Sequence, residues 1–205
     1  LPSTTYPLIE NALRHHYGRS VGEHQTKLGE LFSRFSKVAA NNPYAWFPTE
    51  RSPSEIATAS DENRYIGSPY TKYMNAVLRV NQSAAILVMS ESKAREMGVE
   101  SDRFVYLHGG AGVNDVWNVT ERPELHKSPA IELAIKDSFT HAQIDTDDIK
   151  YFDLYSCFPS VVQITRDALG LSESDPRSLT VTGGLPYFGG PGNKHVMHSI
   201  ATMLD

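Results

Sequence analysis

Five glycines and two prolines fall within residues 183–192, inside the stretch TVTGGLPYFGGPGNKHVMHSIATM (180–203). A β-branched lead-in, a glycine loop and a helix-like pattern follow one another there, so bare backbone can come close to a ligand or to another chain segment. The residues just before the helix would lie at its positive N-terminal end. The candidate ligand-binding residues of this stretch are Gly183, Gly184, Gly189, Gly190, Asn193 and His195.

The glycine-rich stretch fits neither of the common nucleotide-binding loops. A P-loop needs Gly-x-x-x-x-Gly-Lys-Ser/Thr, and here His195 stands where the hydroxyl residue should be. A Rossmann fingerprint needs Gly-x-Gly-x-x-Gly and an acidic residue about 20 positions later, which GGPG at 189–192 does not provide. The loop therefore indicates a close approach of backbone and not a phosphate cradle.

The second candidate site is DLYSCFPS, residues 153–160. Cys157 ends a predicted strand, where α/β folds place their chemistry. A cysteine nucleophile needs a nearby base or positive helix end, whereas free cysteines are also commonly packed in cores, and the inert interpretation is favoured. Tyr155, on the same face of that strand, is either a hydrogen-bond donor or general acid, or a core tyrosine.

Charge and composition exclude several classes of function. A net charge of −5 without a run of basic residues argues against a nucleic-acid or anionic-membrane surface, and no apolar run approaches the ~20 residues of a membrane span. The single cysteine favours a reducing, cytoplasmic compartment. His195 and His198 lack both the HExxH pattern and a third ligand, so no metal site is predicted.

The elements that must position these residues alternate in the second half of the chain. Apolar spacing predicts helices at 6–40, 91–97, 129–144, 159–171 and 195–204. Short apolar runs predict strands at 83–90 and 104–107, and within 145–158 and 178–185. This alternation indicates an α/β fold. The segment 41–72 shows no sustained period and is either functional or an insertion over a neighbouring surface.

Three motifs together resemble those of the thiolase superfamily. SAAILVMSESKAREMGV (83–99) resembles the strand and helix that close the N-terminal half of a thiolase. AIELAIKDSFTHAQIDTDDIKYFDLYSCF (130–158) resembles the segment that delivers the N-E-A-F motif, or H-D-C-F in sterol-carrier-type thiolases. LTVTGGLPYFGGPGNKHVMHSIATM (179–203) resembles the N-x-x-G-G-x-x-x-x-G-H-P-x-G-x-x-G loop and its helix. PYTKYMNAVLRVNQ (69–82) is closest to a divergent branch, the acetyl-CoA acetyltransferase-like proteins.

The resemblance implies a partial thiolase fold, an α/β protein with α-β-α-β-α layers. It implies a loop domain at residues 1–79, the end of the N-terminal half at 80–107, and the C-terminal half at 108–205 without its last hairpin. The nucleophilic cysteine is then expected upstream of Leu1, which makes the chain a fragment. Such a fragment is expected to form a homodimer or to associate with the remaining thiolase half.

The resemblance also implies an acyl-CoA ligand of lipid metabolism, with coenzyme A thioester as substrate and no permanently bound cofactor. Several catalytic positions of the family are substituted, however. Gly190 matches the histidine of G-H-P, Tyr155 matches the Asn or His of N-E-A-F or H-D-C-F, and Ser156 matches the acid after it. Cys157 matches a cysteine that is not the nucleophile. Since one oxyanion donor alone is worth ~10²–10³ in rate, standard Claisen condensation by this chain is not expected.

Two alternatives to acyl transfer remain. Thiolase-like retro-aldolases use tyrosines where thiolases use histidine and cysteine, and they work beside an OB-fold partner protein. In that case Tyr155 and Tyr187 would be the acid and base, with Cys157 as a further catalytic candidate. The other alternative is a non-catalytic CoA-binding or assembly module, which the glycine at position 190 favours.

Overall fold

The computed structural model describes residues 2–204. Its helices are α1 (Pro2–His16), α2 (Val21–Ala40), α3 (Pro53–Ala57), α4 (Glu91–Glu96), α5 (Pro129–Ala142), α6 (Pro159–Ala168), α7 (Gly184–Tyr187) and α8 (His195–Leu204). The strands β1 (Tyr65–Gly67) and β2 (Tyr70–Thr71) form an antiparallel pair. None of the helices in the described residues is long and apolar enough to cross a membrane.

The predicted helical region at 6–40 is confirmed, with a break that the apolar spacing did not show. Gly18 takes a positive φ of 66° after α1, a conformation that glycine adopts at little cost. Ser20 then starts α2 with a capping box, because its hydroxyl accepts from the Glu23 amide and the Glu23 carboxylate accepts from the Ser20 amide. The break lets α1 and α2 take different directions.

The later helices begin where their caps predicted. The Ser90 hydroxyl accepts from Lys93 N at the start of α4, and Ser128 does the same for Ile131 N at the start of α5, with Pro129 in the first turn. The end of α5 differs from the usual glycine cap, since Gln143 takes the left-handed conformation. Local capping chemistry therefore predicted these boundaries well.

The predicted strands form no β-ladder among residues 2–204. Leu154 N donates to Leu179 O at 2.9 Å, which brings the segment before Tyr155 beside the segment before the glycine loop. A ladder needs a row of such bonds, and the described residues do not supply it. Leu87 and Leu107 are 85% and 90% exposed, so the described residues leave these two side chains of the predicted strands uncovered.

The main hydrophobic core lies under α2 and includes the glycine loop. Phe32 and Phe35 stack at 5.2 Å between centroids, and Tyr187 of α7 lies at 6.4 Å from Phe32. Phe152 and Leu154 of the segment 151–155, together with Val162 of α6, belong to the same cluster. The core therefore holds both candidate sites of the sequence against one helix.

A buried carboxylate fixes α1 against α2, β2 and α6. Glu10 is fully buried and accepts hydrogen bonds from Tyr70 Oη and Gln163 Nε2, each at 2.7 Å. The Nε2 atom of His24 lies 2.7 Å from Oε1 of the same carboxylate. A buried polar group of this kind is stable only with such partners, so the position of α1 is strongly specified.

The segment 41–72 is ordered by side-chain bonds to its own backbone. Asn63 Nδ2 donates to the carbonyls of Glu55, Ile56 and Thr58 at 2.9, 3.1 and 2.9 Å. These bonds hold α3 beside the β1–β2 hairpin. The segment without a sequence period thus contains short elements that local polar contacts stabilise.

Candidate functional site

Tyr155 lies at the end of the segment 151–155, shortly before α6, with 46% of its surface exposed. Its ring meets the ring of His195 edge-on, with centroids 6.4 Å apart and planes at 75°. Burial, and then the neighbouring Cys157, raise the pKa of Tyr155. The phenol is therefore protonated at neutral pH and available as a donor at the surface.

His195 connects Tyr155 to the glycine loop. Its Nδ1 atom lies 3.2 Å from the carbonyl oxygen of Gly189, a contact in which a neutral imidazole donates from Nδ1. Burial lowers the pKa of His195, although the Asp153 carboxylate at 3.9 Å from Nε2 acts in the opposite direction. The Nε2 atom is buried and has no hydrogen-bond partner among the described residues.

Asp153 is a site residue that the sequence did not reveal. Its Oδ2 accepts from Val181 N at 2.9 Å and from Thr180 Oγ1 at 3.0 Å, and its Oδ1 accepts from Ser199 Oγ at 2.8 Å. The carboxylate thus joins the segment 151–155, the residues just before the glycine loop and α8. The one available signal was its position two residues before Tyr155, on the same side of a strand.

The sequence left open whether the glycine loop approaches a ligand or another chain segment. Gly183 and Gly184 approach another chain segment. Both have positive φ, at 106° and 73°. A Cβ on Gly183 would lie 2.4 Å from Ala39 Cβ, and one on Gly184 would lie 2.5 Å from Ser156 Oγ. Their amides donate to threonine hydroxyls of the loop itself. These glycines therefore serve close packing on α2.

Gly189 and Gly190 pack on the segment before residue 83. Gly190 N donates to Val77 O at 2.8 Å, and a Cβ on Gly190 would lie 3.3 Å from Leu185 Cδ2. Gly189 takes a φ of 125°, and a Cβ there would lie 2.6 Å from Gln82 Oε1. Asn193 is exposed in the turn before α8. Gly189 is the loop glycine that reaches His195, through its carbonyl oxygen.

Tyr187 lies in the hydrophobic core and not at the surface beside Tyr155. It is 1% exposed, and its hydroxyl has no hydrogen-bond partner in the described part of the chain. Burial raises its pKa well above the ordinary value. A phenol without access to solvent cannot exchange protons with a substrate, so we do not retain Tyr187 as an acid or base.

Cys157 is partly buried and free. Burial raises its pKa, although the neighbouring Tyr6 side chain acts in the opposite direction. The thiol is therefore protonated at neutral pH, which favours the inert interpretation over a thiolate nucleophile. Tyr6 itself, on α1, is a neighbour that no sequence motif indicated.

Lowering the pH below about 6.5, the ordinary pKa of histidine, should destabilise the protein. Burial lowers the pKa of His195 and of His198, so the unfolded chain binds protons in a range where the folded chain does not. We expect the free energy of unfolding to fall between pH 7 and pH 5, measured by urea denaturation. The double variant His195→Gln, His198→Gln should show a smaller slope, and an unchanged slope would contradict the assignment.

Within residues 2–204, no three His, Cys, Asp or Glu side chains come together in a way that could hold a metal ion. The arrangement is instead one of a partly exposed phenol, a neutral imidazole and a buried carboxylate on adjoining segments. It can donate hydrogen bonds and protons to a ligand at the surface beside Tyr155.

Comparison with known proteins gives remote relatives in sequence. No family model matches the chain. It is 22% identical over 184 residues to human sterol carrier protein 2, covering 85% of this chain and 32% of that protein. It is 23% identical over 152 residues to acetyl-CoA acetyltransferase of Schizosaccharomyces pombe, covering 68% and 35%. The chain thus spans about a third of the length of these curated relatives.

Comparison with solved structures gives a nearer match. A monomeric SCP2-thiolase like protein type 1 from Mycobacterium smegmatis is 46% identical, with a TM-score of 0.92, over 100% of this chain and 45% of that one. The Ltp2-ChsH2(DUF35) aldolase shares the fold alone, at 17% identity and a TM-score of 0.70, over 98% of this chain and 54% of that one. The chain is a member of the thiolase-like superfamily, and its structure is part of an SCP2-thiolase-like fold.

Proposed function

We propose that this chain forms part of the acyl-CoA site of a thiolase-like protein. The observation that carries the proposal is the contact of Tyr155 with His195, which in turn contacts the Gly189 carbonyl. This contact brings the two sequence motifs to one place, with the phenol open to solvent. The similarity to an SCP2-thiolase like protein and to an acetyl-CoA acetyltransferase supports a CoA thioester as the ligand.

A cationic cavity supports the same ligand class. A cavity of about 750 Å³ lies between α2, residues 176–181 and α8, and Arg34, Lys37 and Tyr44 are among the residues that line it. The phosphate groups of coenzyme A carry negative charge, which Lys and Arg side chains bind favourably. Lys37 is exposed for such a contact, whereas Arg34 Nη2 already donates to Asp175 O and Arg177 O. The adenine ring of coenzyme A would also pack against the side chain of Tyr44.

Retro-aldol cleavage of a β-hydroxyacyl-CoA is the second candidate reaction. Gly190 has no side chain with which to replace the family histidine, whereas Tyr155 offers a protonated phenol. In this reaction the bond between the α and β carbons breaks, the β-hydroxyl gives its proton to solvent and becomes a carbonyl, and the thioester enolate takes up a proton. Tyr155 would supply that proton, as a general acid.

The proposed partners follow from exposed apolar segments. Leu87, Val88, Val105 and Leu107 are all more than half exposed, and extended backbone without a neighbour favours pairing with another chain. The proposed partners are a second copy of this chain, the remaining thiolase half, and an OB-fold protein. The DUF35 component of the Ltp2-ChsH2(DUF35) aldolase supports the OB-fold protein as a partner. We place the protein in the cytoplasm because its one cysteine is free.

Titration calorimetry on the full-length protein tests this function. We expect acetyl-CoA and a β-hydroxyacyl-CoA to bind more tightly than ATP at equal concentration, because ATP carries the adenine and phosphate groups but lacks the acyl thioester. A second experiment separates an aldolase from a binding module. The full-length protein is incubated with the β-hydroxyacyl-CoA and the OB-fold partner protein, and the carbonyl product of cleavage is detected. Absence of binding by every acyl-CoA would refute the proposal.

A further inference from the structure

Asp153 holds both ends of the stretch that carries the glycine loop. At the start of that stretch, Asp153 Oδ2 accepts from Thr180 Oγ1 and Val181 N at 3.0 and 2.9 Å. At its end, Asp153 Oδ1 accepts from Ser199 Oγ at 2.8 Å. The side chain of Asp153 is 7% exposed, and these donors satisfy its buried oxygens. One carboxylate therefore ties the start of the loop and α8 to the segment that ends at Tyr155.

His195 links this carboxylate to the phenol. It lies four residues before Ser199 on α8, so the two side chains share a face of the helix. The imidazole is 1% exposed, and it meets the rings of Tyr155 and Phe188 with centroids 6.4 and 5.9 Å away and planes at 75° and 70°. The bond between Ser199 and Asp153 thus fixes the rotation of α8 that presents the imidazole to the phenol.

The orientation of Tyr155 depends on this contact. Tyr155 is 46% exposed, and a tyrosine at the surface has several rotamers open to it. An edge-on contact with a buried ring favours one of them. A general acid works only within hydrogen-bond reach of the group that it protonates, so a phenol that turned away from the site would lose its effect on the reaction.

We propose that Asp153 is a positioning residue of the site: it holds His195 against Tyr155 and so fixes the direction of the phenol hydroxyl. This inference rests on the proposed function, and it adds a residue that acts on the reaction without touching the substrate. The buried carboxylate contributes alignment alone. Alignment has a large effect on rate, because a misplacement of about 1 Å can cost on the order of 10²-fold.

Asp153→Ala in the full-length protein, with its OB-fold partner, tests the role in turnover. For cleavage of a β-hydroxyacyl-CoA, kcat should fall by about 10–10²-fold while KM stays within about twofold. Asp153→Asn should recover most of kcat, because its amide oxygen still accepts from Thr180 and its amide nitrogen can donate to Ser199. Asp137→Ala is the matched control at an exposed position of α5, and it should change neither kcat nor KM.

A second measurement does not depend on turnover. The protein is labelled with fluorotyrosine, and the fluorine NMR signal of Tyr155 is assigned by its absence in Tyr155→Phe. Asp153→Ala should shift this signal and lower the pH at which it titrates, because a released ring is less buried and burial is the main cause of the raised pKa of Tyr155. Ser199→Ala removes only one bond to Asp153 and should shift the signal in the same direction, so it decides the matter if Asp153→Ala does not fold.

The outcomes separate this inference from the proposed function. Wild-type kcat in folded Asp153→Ala, or an unchanged Tyr155 signal in both variants, would overturn the positioning role. A loss of kcat that Asp153→Asn does not recover would overturn it as well, since alignment by hydrogen bonds would not be the cause. Absence of turnover in the wild type, together with a shifted Tyr155 signal in the variants, would refute the retro-aldolase and still support Asp153 as the residue that positions the phenol.

Discussion

Gly183→Ala should lower the free energy of unfolding of the full-length protein by about 2–5 kcal/mol, combining a left-handed backbone with overpacking. The φ of Gly183 is 106°, a region that a residue with a Cβ adopts only under strain. The added Cβ would also lie 2.4, 2.7 and 2.8 Å from Cβ, Cα and N of Ala39. Two of these atoms are backbone of α2, so no side-chain rotation relieves the contact.

Gly170→Ala is the control that separates the cost of the strained backbone from the cost of the steric contact with α2. Gly170 has a φ of 71° but nothing within 4 Å of the position of a Cβ, so its substitution should cost only about 1–2 kcal/mol, the backbone part. Urea denaturation of both variants gives the comparison, with the unfolding midpoint as the measured quantity. Equal losses in the two variants would show that the loop does not pack on α2 as described.

Tyr155→Phe should lower the rate of retro-aldol cleavage by about 10²–10⁴-fold, the usual contribution of a general acid. The substitution removes only a hydroxyl from a ring that is 46% exposed. The contact of the ring with His195 does not need that hydroxyl. Stability and acyl-CoA affinity should therefore stay close to those of the wild type, and the loss should appear in kcat.

The measurement is turnover of a β-hydroxyacyl-CoA by the full-length protein with its partner. Tyr151→Phe is the matched control, because Tyr151 lies four residues earlier and is 72% exposed, and it should leave the rate unchanged. Turnover by Tyr155→Phe at the wild-type rate would remove the retro-aldolase hypothesis. Acyl-CoA binding without turnover in the wild type would instead favour the binding module.

Much of the helical architecture could be predicted from the sequence, because helix boundaries depend on contacts between near neighbours. Ser90, Ser128 and Pro129 start helices through bonds and backbone angles within one turn. The predicted strands could not be confirmed in the same way. A strand needs hydrogen bonds from a second segment. Leu154 N donates one such bond to Leu179 O, but the neighbouring residues add no further bonds that would make a ladder.

The sequence by itself determined which side chains stand at the motif positions: a phenol at 155, no side chain at 190, and glycines where backbone must pass closely. The tertiary structure alone decided what each of them faces. Tyr187 turns into the core, whereas Asp153 meets Ser199, 46 positions away. The physical reason is that packing and burial join segments distant in the chain, and these long-range contacts set exposure and pKa, which spacing along the sequence cannot encode.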